Sequence, residues 1–127
     1  MTLTALGASD RDEFLHSLRD PEVMEWQGLS EAAIADWEKS YDRMIGVRFR
    51  RRPVALAIRD AESGVMIATY SYSPYRSDPL GETVELGWWA MPTHRGKGKA
   101  REALRMVLKW LHDDVGVGMV IIGTRAD

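Results

Sequence analysis

The spacing of apolar residues changes along the chain, from a helical period in the first third to a strand-like period afterwards. Apolar side chains recur every three or four positions after Ser9 and again after Ser30, which predicts two amphipathic helices with serine N-caps. Pro21 separates the first helix from a short helical turn, because the residue before a proline avoids the helical region. A brief first strand is predicted at Thr2–Leu6.

The middle of the chain favours extended structure. Val54–Ile58 and Val65–Tyr72 are rich in apolar residues and flank a turn at 60–64, which predicts an antiparallel hairpin. Ser73–Gly81 contains two prolines and a glycine, and we predict a loop there. Thr83–Met91 is predicted to be a third long strand.

The last third predicts one helix and one strand. Gly98–Asp114 has a continuous apolar face, as an amphipathic helix does, and Met119–Thr124 is predicted to be the final strand. The order of elements predicts an α/β fold with a mixed, mostly antiparallel sheet, flanking helices and one parallel β-α-β unit. At 127 residues, we expect a single domain spanning 1–127.

Composition narrows the class of protein. The 45% apolar and 28% charged content is that of a soluble globular protein, and the longest apolar runs are too short to cross a bilayer. The N-terminus lacks the pattern of a secretory signal, and there is no cysteine, so we expect a cytoplasmic protein without disulfides. His16 and His112 lack the spacing of metal ligands, and we predict no metal site.

The charge is small overall but unevenly distributed. A net charge of -2 disfavours a general affinity for nucleic acid. Basic residues nevertheless gather at Arg48–Arg52 and along 95–109. This distribution fits a compact anionic ligand better than a long polyanion. The first cluster could also be a solvated loop or a contact for an acidic partner, ribosomal RNA or a nucleotide phosphate.

The most informative segment is Val84–Ala100, a predicted strand that leads through a glycine-containing turn into a helix. The N–H groups of a first helical turn have no partner within the helix, and the helix dipole places partial positive charge there. Gly96 and Gly98 allow close approach of a bulky anion, so this turn is suited to a phosphate or pyrophosphate. The alternative is a tight turn followed by a solvated helix start.

The segment resembles a known family. Arg95-Gly-Lys-Gly-Lys-Ala100 is similar to the Arg/Gln-x-x-Gly-x-Gly/Ala signature with which GNAT-superfamily N-acetyltransferases bind acetyl-CoA. Glu85–Pro92 and Arg19–Met24 resemble the branch that acetylates the N-termini of ribosomal proteins, the Rim type. The resemblance extends from about Leu15 to Asp127.

The resemblance implies acetyl-CoA as the cofactor and a primary amine as the acceptor, either a protein N-terminus or a small molecule. It implies that one strand end pairs with the pantetheine arm like an added strand, and that the following loop holds the pyrophosphate. The thioester would then lie where this strand and the last strand separate. The implied cofactor-binding residues are Trp89, Ala90, Met91, Arg95, Gly96, Lys97, Gly98, Lys99 and Ala100.

Acetyl transfer to an amine requires a base, because an alkylamine with a pKa of about 10.4 is protonated at neutral pH. Glu85 is the candidate, since it lies on the central strand where several family members place a catalytic glutamate. The alternative is an exposed glutamate paired with a surface arginine. The backbone N–H of Ala90 or Met91 is the oxyanion donor that the resemblance implies.

Other polar and aromatic residues have two interpretations each. One of Trp88 and Trp89 is predicted to be core, while the other could wall the acceptor cleft. The tyrosines at 70, 72 and 75 could line that cleft, although packing within the hairpin is the favoured role. His94 could touch a phosphate or lie solvated in its loop.

The chain stops where related proteins continue into another helix and a final pair of strands. Met119–Thr124 would then be an apolar strand with one unpaired edge, a feature that favours association. We expect either a homodimer through this edge or a shortened form of the protein. A degenerate domain that binds coenzyme A or a partner without catalysis is the second functional hypothesis, and nucleic-acid binding through the arginines is the third.

Overall fold

The chain forms a sheet with helices on both faces. The computed structural model describes residues 1–78, 81–91 and 98–122. The elements, in chain order, are β1 (Thr2–Ala5), a 3-10 turn (Ala8–Asp10), α1 (Arg11–Leu18), α2 (Pro21–Gln27), α3 (Glu31–Gly46), β2 (Arg48–Phe49), β3 (Arg52–Pro53), β4 (Ala55–Arg59), β5 (Met66–Asp78), β6 (Gly81–Ala90), α4 (Lys99–Trp110), a π-helical turn (Leu111–Val115) and β7 (Val117–Ile122).

The main sheet has five strands in the order β1-β4-β5-β6-β7. Neighbouring strands are antiparallel except for β6 and β7, which run parallel on either side of the α4 connection. Within the described part of the chain, β7 pairs only with β6 and is the edge strand. The predicted mixed sheet with a parallel β-α-β unit is therefore confirmed.

Two cores lie on opposite faces of this sheet. Helices α1, α2 and α3 pack on one face, where the Phe14 ring lies 5.7 Å from the Trp37 ring and 5.2 Å from the Tyr41 ring. Helix α4 and the π-helical turn pack on the other face through Ala103, Val107 and Leu111, which are fully buried against apolar side chains of β4, β5 and β6. The sheet is thus covered on both sides, as an α/β architecture requires.

The helix boundaries follow local signals. The Asp20 carboxylate accepts hydrogen bonds from the first turn of α2, Pro21 is its first residue, and Gly28 ends it at a φ of 64°. The Ser30 hydroxyl accepts a bond of 3.1 Å from the Ala33 N–H, which confirms the predicted cap of α3. Ser9 is not a cap, because it lies inside the 3-10 turn that precedes α1.

The segment predicted as a loop at Ser73–Gly81 is mostly strand. Strands β5 and β6 continue to pair up to Asp78 and Gly81. The ladder accommodates Pro74 through a register shift between Pro74 and Arg76, and such bulges are where a proline is tolerated in a sheet. Pro74 therefore marks an irregularity within β5 and not the end of that strand.

The arginine-rich run forms a short hairpin with mostly exposed arginines. Strands β2 and β3 form a hairpin whose two turn residues, Arg50 and Arg51, have φ values of 51° and 69°. The Arg50 guanidinium donates to the carbonyls of Val115 at 2.9 Å and Gly116 at 3.1 Å. These bonds satisfy carbonyls at the end of the π-helical turn and offset the strained backbone of the hairpin.

A half-buried ion pair joins the N-terminal segment to the sheet. The Arg59 guanidinium donates to the Asp10 carboxylate at 2.6 Å and to the Thr4 hydroxyl at 3.1 Å. The second Asp10 oxygen accepts from the Gly7 N–H at 2.9 Å. The side chains of Arg59 and Asp10 are only 19% and 12% exposed, so neither charge is well solvated without the other.

We predict that Asp10→Ala lowers the free energy of unfolding by about 3 kcal/mol, because it leaves a poorly solvated guanidinium without its partner. The control is Glu31→Ala, which removes a solvent-exposed ion pair with Arg19 and should cost less than about 1 kcal/mol. Urea unfolding of both variants measures the difference. Equal losses would show that the burial of the Asp10 pair is energetically unimportant.

Candidate active site

The two edges of β6 have different partners. The Met91 N–H donates to the Ile67 carbonyl at 2.8 Å, so this pair of residues is hydrogen-bonded across β5 and β6. Because hydrogen-bonded and non-bonded pairs alternate along an antiparallel ladder, the backbone groups of Trp88 and Ala90 face away from β5. Of the two predicted oxyanion donors, the Met91 N–H donates toward β5, and the Ala90 N–H lies on the other edge of β6.

On its outward edge, β6 pairs with the described part of β7. The parallel ladder is described as far as Leu86 and Ile122. Two residues further along β6, the carbonyl of Trp88 accepts a hydrogen bond of 2.9 Å from Nε2 of Gln27, the last residue of α2. A side chain from α2 thus takes the position that a neighbouring strand holds earlier on this edge.

Gln27 is not among the functional candidates predicted from the sequence. The residue is exposed and precedes the Gly28 helix stop, a position with no motif attached. The only available signal was composition, since Gln27 is the single carboxamide side chain in the whole sequence. Its contact with Trp88, 61 residues away, arises only from the folded structure.

Helix α4 begins at an open glycine. Gly98 is the N-cap with φ 73°, and a Cβ built there would meet no atom within 4 Å. No side chain of the described residues caps the helix, and the first bond within it runs from the Glu102 N–H to the Gly98 carbonyl. The N–H groups of Lys99 and Ala100 therefore have no partner inside the helix. The first turn of α4 therefore has partial positive charge, and no atom crowds the Cβ position of Gly98.

Lys99 lies near the turn between β4 and β5. The pKa of Asp60 in that turn is lowered, mainly by the backbone N–H groups of Ser63 and Glu62 that its carboxylate accepts, with a smaller contribution from Lys99. Of the predicted phosphate loop, Gly98, Lys99 and Ala100 belong to the described residues. Arg95, Gly96, Lys97 and His94 lie outside them.

Glu85 lies on β6, directly opposite Ser73 on β5 and beside Ile121 on β7. The glutamate is exposed, and no ion pair to it occurs among the described residues. It lies two residues before Gly87 and three before Trp88, the residue that Gln27 contacts. The carboxylate is thus accessible to solvent, close to the residue of β6 that Gln27 contacts.

The aromatic residues of the hairpin are structural. Tyr70 is 1% exposed and stacks on the Trp88 ring at 5.8 Å, and burial raises its pKa. The Tyr72 hydroxyl donates to the Pro53 carbonyl at 2.8 Å, and burial raises its pKa to about 12. Hairpin packing is the observed role of both, while the side chains of Tyr75 and Trp89 lie outside the described part.

An open cavity of about 510 Å³ lies at the far end of α2 from Gln27. Its apolar lining includes Val65, Met66 and Met91, and its polar lining includes Glu13 and His16. The volume is in the range of small-molecule sites. The cavity adjoins Met91, which directly follows β6. Met91 lies three residues after Trp88, whose carbonyl accepts the hydrogen bond from Gln27.

Residues 1–78, 81–91 and 98–122 contain neither a membrane-spanning helix nor a cluster of metal ligands. No helix there is both long enough and apolar enough for a bilayer crossing. No group of three or more metal-ligating side chains converges in the same residues. His112 places Nδ1 at 3.3 Å from the Val117 carbonyl, a contact within the fold.

Comparisons with known proteins give the fold a family. Over residues 1–127 the sequence matches the model of the acetyltransferase (GNAT) domain. No curated protein sequence matches significantly.

Solved structures agree with this assignment. Spermidine N-acetyltransferase from Vibrio cholerae, in complex with CoA and spermine, is similar with a TM-score of 0.76 and 17% identity over 95% of this chain and 69% of that one. An acetyltransferase (GNAT family) from Bacillus anthracis gives 0.71 and 16% identity over 94% and 67%. Ribosomal-protein-alanine N-acetyltransferase from Brucella melitensis biovar Abortus 2308 gives 0.67 and 16% over 98% and 81%. With a matching family model along its whole length and the same fold, the chain belongs to the acetyltransferase (GNAT) domain family.

Proposed function

We propose that the protein is an acetyl-CoA-dependent N-acetyltransferase that acts on a primary amine. The observation that carries the proposal is the open start of α4, where Gly98 is left-handed and no side chain of the described residues caps the helix. A cap would compete with an anionic ligand for the same N–H groups. Acetyl-CoA supplies the activated acetyl group together with a pyrophosphate suited to this position.

The proposed cofactor site joins two elements. The N–H groups of Lys99 and Ala100, with the preceding residues 95–98, would hold the pyrophosphate at the positive end of the α4 dipole. Trp89–Met91, the last two residues of β6 and the residue after them, would align the pantetheine arm by β-augmentation. Because outward-facing groups alternate along β6, Ala90 is the residue of this stretch whose backbone faces that edge.

The proposed catalytic base is Glu85. A solvent-exposed carboxylate can accept a proton from the ammonium form of the acceptor through water, and so deliver the neutral amine that attacks the acetyl carbonyl. The oxyanion that forms in this attack needs a preorganised donor, and the Ala90 N–H is the proposed one. The alternative donor is the Met91 N–H, which also donates to the Ile67 carbonyl.

The proposed acceptor is an amine and, more narrowly, the N-terminus of a protein. An amine is supported by the family and by the similar fold of enzymes named for amine substrates, among them a spermidine acetyltransferase. A protein N-terminus, as in the Rim-type branch, rests on Glu85–Pro92 and Arg19–Met24 and on similarity to one ribosomal-protein acetyltransferase fold. The proposed compartment, the cytoplasm, rests on composition alone.

We further propose that a second copy of the chain covers β7. Met119 and Ile121 are 52% and 36% exposed on this edge strand, and an apolar strand with an unpaired edge favours association.

Acetyl-CoA at about 100 times its Kd is expected to stabilise the wild-type protein by about 2.7 kcal/mol, read as a rise in melting temperature. Gly98→Val should abolish this rise. The matched control is Gly64→Val, because Gly64 has nearly the same φ, 74°, and equal space around it. Both substitutions cost roughly 1–2 kcal/mol in backbone strain, so only the response to acetyl-CoA separates them. A full response in Gly98→Val would rule out the proposed pyrophosphate site.

Thiol release with a panel of amines is expected to identify an acceptor, and Glu85→Gln should then lower kcat by about 100-fold or more. The Kd for acetyl-CoA should not change, because the carboxylate contacts the acceptor side. Glu62→Gln, in the turn between β4 and β5, removes another exposed carboxylate and should leave kcat unaltered. Cofactor binding without thiol release from any amine would instead indicate a binding domain.

Light scattering after size exclusion is expected to show a dimer that Ile121→Lys converts to a monomer, because a buried lysine on β7 would be poorly solvated. Val47→Lys replaces another exposed apolar side chain, 45% accessible and outside β7, and should remain dimeric. A monomeric wild-type protein at micromolar concentration would refute the association.

A further inference from the structure

The sheet face that carries α1, α2 and α3 is open above one row of residues. Ser71 of β5 and Gly87 of β6 lie directly opposite each other, in register with Ala55 of β4, which is buried in the core of these helices. Gly87 is exposed, and among the described residues a Cβ built there would meet only the Ser71 hydroxyl oxygen, at 3.8 Å. The helices therefore leave Gly87 uncovered, although the ladder between β5 and β6 continues on both sides of it.

A glycine inside a strand calls for an explanation, because it weakens the strand and is typical of bulges, sharp bends and places where a backbone or a ligand approaches closely. The register shifts of β6 against its neighbours lie at Pro74/Arg76 and at Glu82/Thr83, away from Gly87. Gly87 does not have a positive φ, and no described backbone atom lies within 4 Å of its Cβ position. The approach of a ligand is the explanation that remains.

The row adjoins both the proposed base and a helix. Glu85 precedes Gly87 by two residues, so the two lie on the same face of β6, about 7 Å apart along the strand. Trp37 and Met44 of α3 line a small cavity together with Ser71, so α3 borders the row. An amine held at the Glu85 carboxylate through water would therefore place its next carbon close to Gly87.

A buried hydroxyl beside the row lacks a partner. Thr69 is 1% exposed and lines the same small cavity as Ser71, and its Oγ1 atom has no hydrogen-bond partner among the described residues. Buried hydroxyl groups in native proteins nearly always have one. The unpartnered hydroxyl indicates, independently of the glycine, that a bound molecule brings a polar group to this part of the face.

The charge of this face fits a single ammonium group. The described side chains that β5 and β6 place here between Thr69 and Ser73 and between Thr83 and Gly87 are hydroxyl groups and one carboxylate, that of Glu85. A polyamine carries several ammonium groups and would require further carboxylates along its length. Hydroxyl groups beside one carboxylate instead suit an amine that is followed by a peptide group.

We propose that Gly87 is a specificity-determining residue, over which the first side chain of the acceptor lies. The acceptor is then an α-amine whose carbon carries a side chain, as at the N-terminus of a peptide, and not the unbranched CH₂–NH₃⁺ group of a polyamine. This inference rests on the proposed function. It adds the residue that limits branching next to the reacting nitrogen.

Substitution of Gly87 should narrow the site without harming the fold. Because glycine weakens a strand interior, Gly87→Ala and Gly87→Val should melt at or above the temperature of the wild-type protein. One carbon atom more or less in a binding site changes discrimination by about tenfold. In Gly87→Ala, kcat/KM for a peptide that begins with alanine should therefore fall about tenfold relative to one that begins with glycine, and further in Gly87→Val.

Thiol release with two short peptides that differ only in this first residue measures the ratio. Gly46→Ala adds a methyl group at another glycine with open space, in α3, and should keep the wild-type ratio. The Kd for acetyl-CoA should be the same in all variants. An unaltered ratio in both Gly87 variants overturns the proposal. An equal loss of activity towards both peptides, or a lower melting temperature, also overturns it, because either would show that the fold itself requires the glycine.

An unbranched diamine, 1,4-diaminobutane, separates this inference from the proposed function. Acetylation of the diamine but of neither peptide refutes this inference alone, since the proposed function requires only a primary amine. Thiol release with none of these amines refutes the proposed function and this inference with it. Acetylation of the alanine peptide by the wild-type protein, lost selectively in the Gly87 variants, is the expected result.

Discussion

The hydrogen bonding of β6 to β5 is the constraint on which the proposed site depends. Toward β5 this strand is hydrogen-bonded through to Met91, so its position and direction are set along its whole length. Toward β7 the ladder is described only as far as Leu86, and beyond it a glutamine side chain meets the strand. A backbone edge held rigidly from one side can present donors and acceptors on the other without losing its shape, which is the preorganisation that recognition and catalysis require.

The two helical layers place the remaining groups around this edge. Burial of Ala103 and Val107 against the sheet fixes the rotation of α4, whose first turn is open at Gly98. The layer of α1, α2 and α3 covers the opposite face, and α2 brings its last residue to the Trp88 carbonyl.

Local sequence signals predicted helix ends correctly where a cap or a turn requires a particular residue type. Asp20, Pro21, Gly28 and Ser30 mark the ends of α2 and α3 because caps and turns require those side chains. The loop prediction at 73–81 was wrong because longer-range strand pairing overrode the local preference. A register shift accommodates Pro74 within a strand, and bonds from Arg50 to the carbonyls of Val115 and Gly116 support two arginines with positive φ.

The sequence by itself determined the mixed α/β class, the order of the main elements and the glycine at which α4 begins, because period, caps and turn residues act over a few positions. Only the tertiary structure decided which backbone groups of β6 face outward. It also decided that the Met91 N–H donates to the Ile67 carbonyl and that the Gln27 side chain donates to the Trp88 carbonyl. Those facts depend on strand register and on the packing of a helix 61 residues away in sequence from its contact. No local pattern encodes them, since a shift of one residue in the register would exchange every inward and outward group of the strand.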